Sequence, residues 1–220
     1  MSIEFKKRFF TSAFLISLLV LMYNYPFVMI ISLIVIGIIT WVEFYALISK
    51  IILTNSIKSK FLRFLFKGLS LLYLSLLIFF IIALEAYQLN LKTYFVFSLL
   101  VAIFSDIGGL LFGKFFKGKK LTKISPNKTI SGSIGSFIFS FLLIPFFYKG
   151  QIDQNLPNIL LITIIISLTS QLGDLFISFL KRKAKVKDTS DLLPGHGGVL
   201  DRIDGIIFAI PLGIYLFIMI

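Results

Sequence analysis

Apolar residues in this chain fall into seven blocks, at about 9–23, 26–49, 68–87, 93–112, 131–148, 156–180 and 203–220, with most of the charged residues between them. Most blocks approach the ~20 residues that an α-helix needs to cross a bilayer's hydrocarbon core, and they do not alternate apolar with polar positions as half-buried strands do. The pattern predicts an all-α fold, a polytopic transmembrane helical bundle of about seven spans. Composition agrees, since 58% of the 220 residues are hydrophobic, above the roughly 45–50% of soluble domains. We expect one integral membrane domain over 1–220 with no soluble domain attached. The first two blocks are joined only by Tyr23-Asn24-Tyr25-Pro26, so a re-entrant hairpin is the alternative to two full spans there. Lys6, Lys7 and Arg8 before the first block resemble the start of a signal peptide, but no small-residue cleavage site follows, which favours a retained span.

Lysine and arginine orient the bundle, because cytoplasmic loops collect positive charge. With the N-terminus in the cytoplasm, 20 of the 22 lysines and arginines fall on that side, and only Lys92 and Lys149 fall outside. The large cytoplasmic loops are then 113–130 and 181–202, and the chain divides into N-terminal spans, 1–92, and a catalytic part, 93–220. The net charge of +12 does not indicate nucleic acid, since the basic residues sit in short loops rather than on a soluble face. There is no cysteine, which excludes disulfides and thiolate metal sites.

Acids inside apolar spans are costly to bury and mark candidate sites. Those here are Glu43, Glu85, Asp106, Asp174 and the Asp201/Asp204 pair. Glu85, near the outer end of its span, reads as an interfacial residue. Glu43, beside Trp41, reads equally as a structural hydrogen-bonding group or a functional one. Ser167, Gln171, Asp174, Ser178 and Lys181 recur at spacings of three and four, which places them on one helix face. Such a stripe describes the wall of a cavity open to the cytoplasm, with a buried hydrogen-bonded seam between helices as the alternative. Ser133, Ser136 and Ser140 with Gly132 form a small-residue stripe suited to close helix packing.

After Lys181 come Arg182, Lys183, Lys185, Lys187 and Asp188, then Pro194-Gly195-His196-Gly197-Gly198 and Asp201-Arg202-Ile203-Asp204. A basic run beside a membrane ordinarily reports topology or anionic lipid. Glycines that permit close backbone approach, next to paired carboxylates, point further, to a magnesium-bound polyphosphate: oxygen ligands for the metal and cations for the phosphate oxygens it leaves free. His196, the sole histidine, is a candidate phosphate contact or proton carrier. In the other loop, Ser125-Pro126-Asn127-Lys128-Thr129 offers two hydroxyls and a lysine for another part of a nucleotide, and also reads as a helix-starting turn capped by Thr129 or Ser131.

The stretch Ser178-x-Leu180-Lys181-Arg182-x4-Lys187-Asp188-x-Ser190-x2-Leu193-Pro194-x-His196-Gly197-Gly198-Val199-x-Asp201-Arg202-Ile203-Asp204 resembles the signature of phosphatidate cytidylyltransferases, also called CDP-diacylglycerol synthases. Gly173-Asp174-Leu175, Asp106-x-Gly108 and Ser125-Pro126-x-Lys128-Thr129 are similar to that family's earlier motifs. The resemblance implies a magnesium-dependent reaction in phospholipid biosynthesis, CTP plus phosphatidic acid giving CDP-diacylglycerol and pyrophosphate. It implies Asp174 and Asp201 as chief metal ligands supported by Asp204, with a second cation such as K+ allowed. Catalytic roles fall to Asp174, Asp201, Lys187, Asp188 and His196, and substrate binding to Ser125, Lys128, Thr129, Ser178, Lys181, Arg182 and Arg202. It further implies a homodimer among membrane lipids in a bacterial inner membrane, with the active site facing the cytoplasm. Ser131 and Ile177 stand where family members commonly carry acids, and the N-terminal half is shorter than in most relatives. The alternatives are a related CTP-dependent enzyme acting on another lipid, an ether-lipid cytidylyltransferase or a polyprenol kinase, and, from another class, a transporter.

Overall fold

The computed structural model of the protein describes the chain except residues 1–2, 54–55, 87–90, 123, 149, 151 and 153, and describes only the backbone at 3–5, 84–86 and 91. The Glu85 side chain and Lys149 lie outside what is described. Among the described residues there are nine helices and no strand: α1 (Ile3–Asn24), α2 (Pro26–Ile51), α3 (Ile57–Ala86), α4 (Leu91–Phe116), α5 (Ile130–Phe141), α6 (Ile144–Phe147), α7 (Leu156–Lys183), α8 (Leu200–Ile203) and α9 (Ile206–Met219). Six segments among these residues are long and apolar enough to cross a membrane: Pro26–Ile51, Ile57–Ala83, Lys92–Phe116, Ile130–Phe147, Leu156–Lys183 and Leu200–Met219. The chain is an integral, polytopic membrane protein. The helix α1 is 22 residues long, but its first turns carry Lys6, Lys7 and Arg8, which leaves an apolar stretch shorter than a full span.

Three expected spans differ in detail, each for a physical reason. The third starts at Ile57 rather than near 68, because its first three turns carry Lys58, Lys60, Arg63 and Lys67. Hydropathy does not register such a stretch, though it is fully helical. The fifth is interrupted after Phe141, where Pro145 has no N–H to donate and its ring collides with the carbonyl four residues back. The last, expected from 203, starts its continuous helix α9 at Ile206, with the separate one-turn α8 before it and the turn at Asp204-Gly205 between them.

The chain forms two compact units, residues Met1–Ala86 with Leu180–Ile203, and residues Tyr87–Phe179 with Asp204–Ile220. In the second unit α4 packs closely on α5. A Cβ on Gly132 would meet the carbonyl oxygen of Gly109 at 2.7 Å, one on Gly109 would meet Ser136 Oγ at 2.7 Å, and Gly108 and Gly135 are equally close to each other's backbone. The small-residue stripe is therefore a helix contact of the kind found where backbones approach without large side chains. The core beside it gathers Phe97, Val101, Ile159, Ile162, Ile166 and Phe217, with the Phe97 ring edge-on to Phe147 and Phe217 at 5.1 and 5.5 Å.

In the first unit α1 and α2 pack together about the extended Tyr25, and α2 packs on α3. Trp41 donates from its indole N–H to the Lys67 carbonyl at 3.2 Å, and the Lys67 ammonium lies 4.3 Å from the Tyr45 ring centre. The 184–200 segment belongs to this unit and leans on its helices. The Thr11 hydroxyl reaches the Pro194 carbonyl at 3.0 Å, and Ser12 reaches His196. The start of α1, the end of α2 and the start of α3 thus lie at one end of this unit, and its basic segments gather there.

Candidate active site

Asp201 is the centre of the first unit's polar cluster. Lys181, in the last turn of α7, places its ammonium 2.6 Å from Asp201 Oδ1. The other oxygen, Oδ2, accepts from the Thr189 amide at 2.8 Å, the Thr189 hydroxyl at 2.9 Å and the Gly198 amide at 3.0 Å. The loop can wrap Asp201 this closely because Gly195 and Gly197 take left-handed φ values of 77° and 82°, where a side chain is disfavoured. Gly197 also packs between the carboxylates of Asp188 and Asp201. The Leu193 amide donates to the Gly197 carbonyl at 2.8 Å and the Gly197 amide returns to Leu193 at 3.1 Å, closing the turn that presents His196.

A second carboxylate secures that loop from the membrane side. Glu43 on α2 is buried, and its oxygens accept from the Ser190 hydroxyl at 2.6 Å, the Leu200 amide at 2.8 Å, the Thr189 hydroxyl at 2.9 Å and the Val199 amide at 3.1 Å. Of the two sequence readings, hydrogen bonding accounts for every acceptor site. His196 faces α1, with Nε2 3.3 Å from Ser12 Oγ and Nδ1 buried without a hydrogen-bond partner, while its carbonyl accepts from Arg202 Nε and Nη2 at 3.0 and 2.5 Å. Arg202 is thereby tied to the turn. Arg182, in the last turn of α7, and Lys187 and Asp188, in the loop after it, are exposed.

The second unit holds another lysine–carboxylate pair. Lys128, delivered by the 117–129 loop, forms an ion pair with Asp174 Oδ2, and the Ser178 hydroxyl donates to Asp174 Oδ1 at 3.3 Å. The loop is a short hairpin, with the Leu121 amide donating to the Lys128 carbonyl at 2.8 Å and the Ile130 amide to the Lys119 carbonyl at 2.9 Å. Thr129 is the N-cap of α5, its Oγ1 accepting from the Gly132 amide at 3.0 Å, and Ser131 bonds Thr129 rather than capping. Ser125 closes the turn before Lys128, its carbonyl accepting the Lys128 amide at 3.0 Å.

The polar stripe on α7 divides. Ser167 lies 2.9 Å from Ser105, both buried, and Ser133 donates to Gln171 at 2.6 Å. That part is a hydrogen-bonded seam between helices, which corrects the expectation of a cavity wall there. Its packing partners satisfy these groups where water was expected. Asp174 and Ser178, further along, remain partly exposed. Asp106 is exposed on α4. Asp204 is buried in the turn before α9, with Oδ1 on the Gly205 amide at 2.9 Å.

Asp174 and Asp201, each within its own unit, offer oxygens of the kind a hard cation takes. No group of three Asp, Glu, His or Cys side chains is gathered among the described residues, and magnesium in nucleotide sites needs only one or two carboxylates, with waters and phosphates completing its shell. Asp174 carries one partner on each oxygen. On Asp201, Oδ2 is enclosed by two backbone amides and the Thr189 hydroxyl it shares with Glu43, which leaves Oδ1, bonded to Lys181, as the oxygen with acceptor capacity to spare. Sequence reasoning passed over Thr189, Thr11 and Ser12, because ordinary hydroxyl residues outside a periodic pattern carry no signal until the loop folds.

The description "Cytidylyltransferase family" belongs to the family whose model matches residues 2–220. The phosphatidate cytidylyltransferase of Staphylococcus haemolyticus is 46% identical over 122 residues, 54% of this chain and 46% of that protein. Those of Staphylococcus saprophyticus and Staphylococcus aureus are each 44% identical over 122 residues, with the same shares covered. The chain matches about half the length of these curated relatives.

Proposed function

This chain belongs to the cytidylyltransferase family, and from that premise we propose that it transfers CMP from CTP to phosphatidic acid. An oxygen of the phosphatidate phosphate forms a bond to the α-phosphorus of CTP, the bond from that phosphorus to the oxygen leading to the β-phosphorus breaks, and pyrophosphate departs with that oxygen. The observation that carries the reading is the Asp201–Lys181 pair, held by a loop whose backbone turns at two left-handed glycines. A rigid carboxylate and ammonium beside exposed Arg182 and Lys187 are what a polyphosphate requires, because phosphoryl-type transfer depends on positioning and charge neutralisation. No strong base is needed, since a phosphate monoester is already anionic near neutral pH.

Magnesium is the proposed cofactor, which would neutralise phosphate charge when bound, with Asp174 and Asp201 as its proposed ligands and a second cation such as K+ allowed. Lys128, Arg182 and Lys187 supply cations to phosphate oxygens, Lys181 keeps Asp201 oriented, and Arg202 fixes the His196 turn. The proposed setting is the cytoplasmic face of a bacterial inner membrane, where CTP arrives from the cytosol and phosphatidate from the adjoining leaflet. The proposed assembly is a homodimer.

The test is purified protein with magnesium, phosphatidate and CTP labelled at the α-phosphorus. The expected result is label in a chloroform-soluble product, with pyrophosphate released. Transfer of γ-label to lipid, leaving CDP, would replace this reading with a lipid kinase, and preference for another lipid acceptor would replace phosphatidate.

A further inference from the structure

We infer that Glu43 is a positioning residue for Asp201, acting from α2 through the 189–200 segment; the inference rests on the reaction proposed above only for its activity readout. A carboxylate has about four acceptor sites, and four donor groups face Glu43 at 2.6–3.1 Å, the Ser190 hydroxyl, the Val199 and Leu200 amides, and the Thr189 hydroxyl that it shares with Asp201. Glu43 is buried and each of its acceptor sites faces a donor group of this loop, so it acts through what it holds. Two of its donors are the amides of Val199 and Leu200, the residues directly before Asp201. A third, the Thr189 hydroxyl, lies 2.9 Å from both Glu43 Oε2 and Asp201 Oδ2, and with one proton it donates to one carboxylate at a time. Gly198, whose amide serves Asp201, lies so close that a Cβ there would stand 2.6 Å from Glu43 Oε2. The buried carboxylate therefore sets the position of every group that bonds Asp201 Oδ2.

The grip is specific to a carboxylate. In Glu43→Gln one oxygen becomes an amide NH2 that faces one hydroxyl, which can turn to accept from it, and one backbone N–H, whose bond is lost and which opposes it. Glu43→Asp keeps the charge but retracts it by one methylene.

The experiment is residue-resolved hydrogen exchange on the intact protein in lipid without substrate, alongside kcat and KM for CTP. A local role would speed exchange only at Val199 and Leu200, which bond Glu43 directly. A positioning role predicts that the Thr189 and Gly198 amides, which bond Asp201, also exchange faster in Glu43→Gln, by about tenfold or more. It also predicts that kcat/KM falls by about a hundredfold, with partial recovery of both in Glu43→Asp. Unchanged exchange at Thr189 and Gly198 would overturn the inference, as would faster exchange with undiminished kcat/KM. If Glu43→Gln does not insert, Ser190→Ala removes one donor of four and should move the same amides in the same direction; no change there would overturn the inference equally. An inactive wild-type chain would remove the proposed reaction, and exchange at Thr189 and Gly198 would still decide the grip.

Discussion

Two lysine–carboxylate pairs, one in each unit, differ in what holds them. Lys181 and Asp201 have side chains 12% and 3% exposed, and Asp201 has three further donors on its second oxygen. Lys128 and Asp174 are 26% and 27% exposed, with one hydroxyl besides. The first pair is fixed in advance by a folded loop. The second is partly exposed and less fully bonded, and pairs that reach water contribute less, about 0–1 kcal/mol when exposed.

The largest expected effect separates stability from activity. Asp201→Asn must direct its remaining oxygen either to the three loop donors or to Lys181, and the other side then meets an NH2 group. Breaking a buried pair from one side costs about 3–5 kcal/mol, so this variant should melt earlier and also lose turnover by about a thousandfold or more. Asp174→Asn should lose a similar factor in turnover with stability within about 1 kcal/mol of the parent. Thermal unfolding in detergent with α-labelled CTP assays measures both. Equal melting temperatures for the two variants would erase the distinction between the pairs, and near-normal activity in both would remove these carboxylates from the metal site.

A second variant tests the rigidity of the first pair without touching its charges. Gly198→Ala introduces a Cβ against Thr189 Oγ1 and 2.6 Å from Glu43 Oε2. Overpacking of this kind costs about 1–3 kcal/mol, and the loop must shift away from Asp201 to relieve it. Activity should fall more than stability, as read from kcat at saturating CTP beside the melting temperature. An unaffected kcat would mean that the loop tolerates displacement.

Most of this comparison was visible in the sequence as residues and little of it as contacts. The helices were legible because membrane spans are long and continuously apolar, and their errors came where another rule intervened: the charged first turns of α3, Pro145 within the fifth span, and Gly205 before α9. Asp174, Lys181 and Asp201 stood out as charges beside apolar blocks. The pairing of Lys181 with Asp201 across 20 residues was not legible, and neither was the service of Thr189 to two carboxylates. Both depend on an irregular loop, whose course follows from turn geometry and tertiary donors rather than from any period. The same limit explains why Glu43 was noticed as an acid in a span but not as the group that holds a loop some 150 residues away in sequence.

The open pair predicts a smaller, selective effect. Lys128→Ala should raise the KM for CTP by about tenfold while leaving protein abundance intact, because one partly exposed cation to a phosphate contributes little beyond that. Steady-state kinetics at varied CTP and varied phosphatidate checks the assignment. A raised KM for phosphatidate with that for CTP unchanged would move Lys128 to the lipid.

The smallest expected effect is none, and it tests what the two pairs are predicted to share. The 20-to-2 distribution of lysine and arginine predicts that the 113–130 and 181–202 loops both face the cytoplasm, although one pair is shielded and the other open. Because the chain has no cysteine, single substitutions report without background. Lys119→Cys and Lys185→Cys both stand at exposed positions, so shielding by the fold does not explain a lack of reaction. An impermeant maleimide should leave both unmodified in intact cells and modify both after permeabilisation. Modification of Lys185→Cys alone in intact cells would place the Asp201 loop across the membrane from Lys128. That outcome would break the proposal that one nucleotide is served by both pairs, because no bound CTP spans a bilayer whose hydrocarbon core is about 30 Å thick.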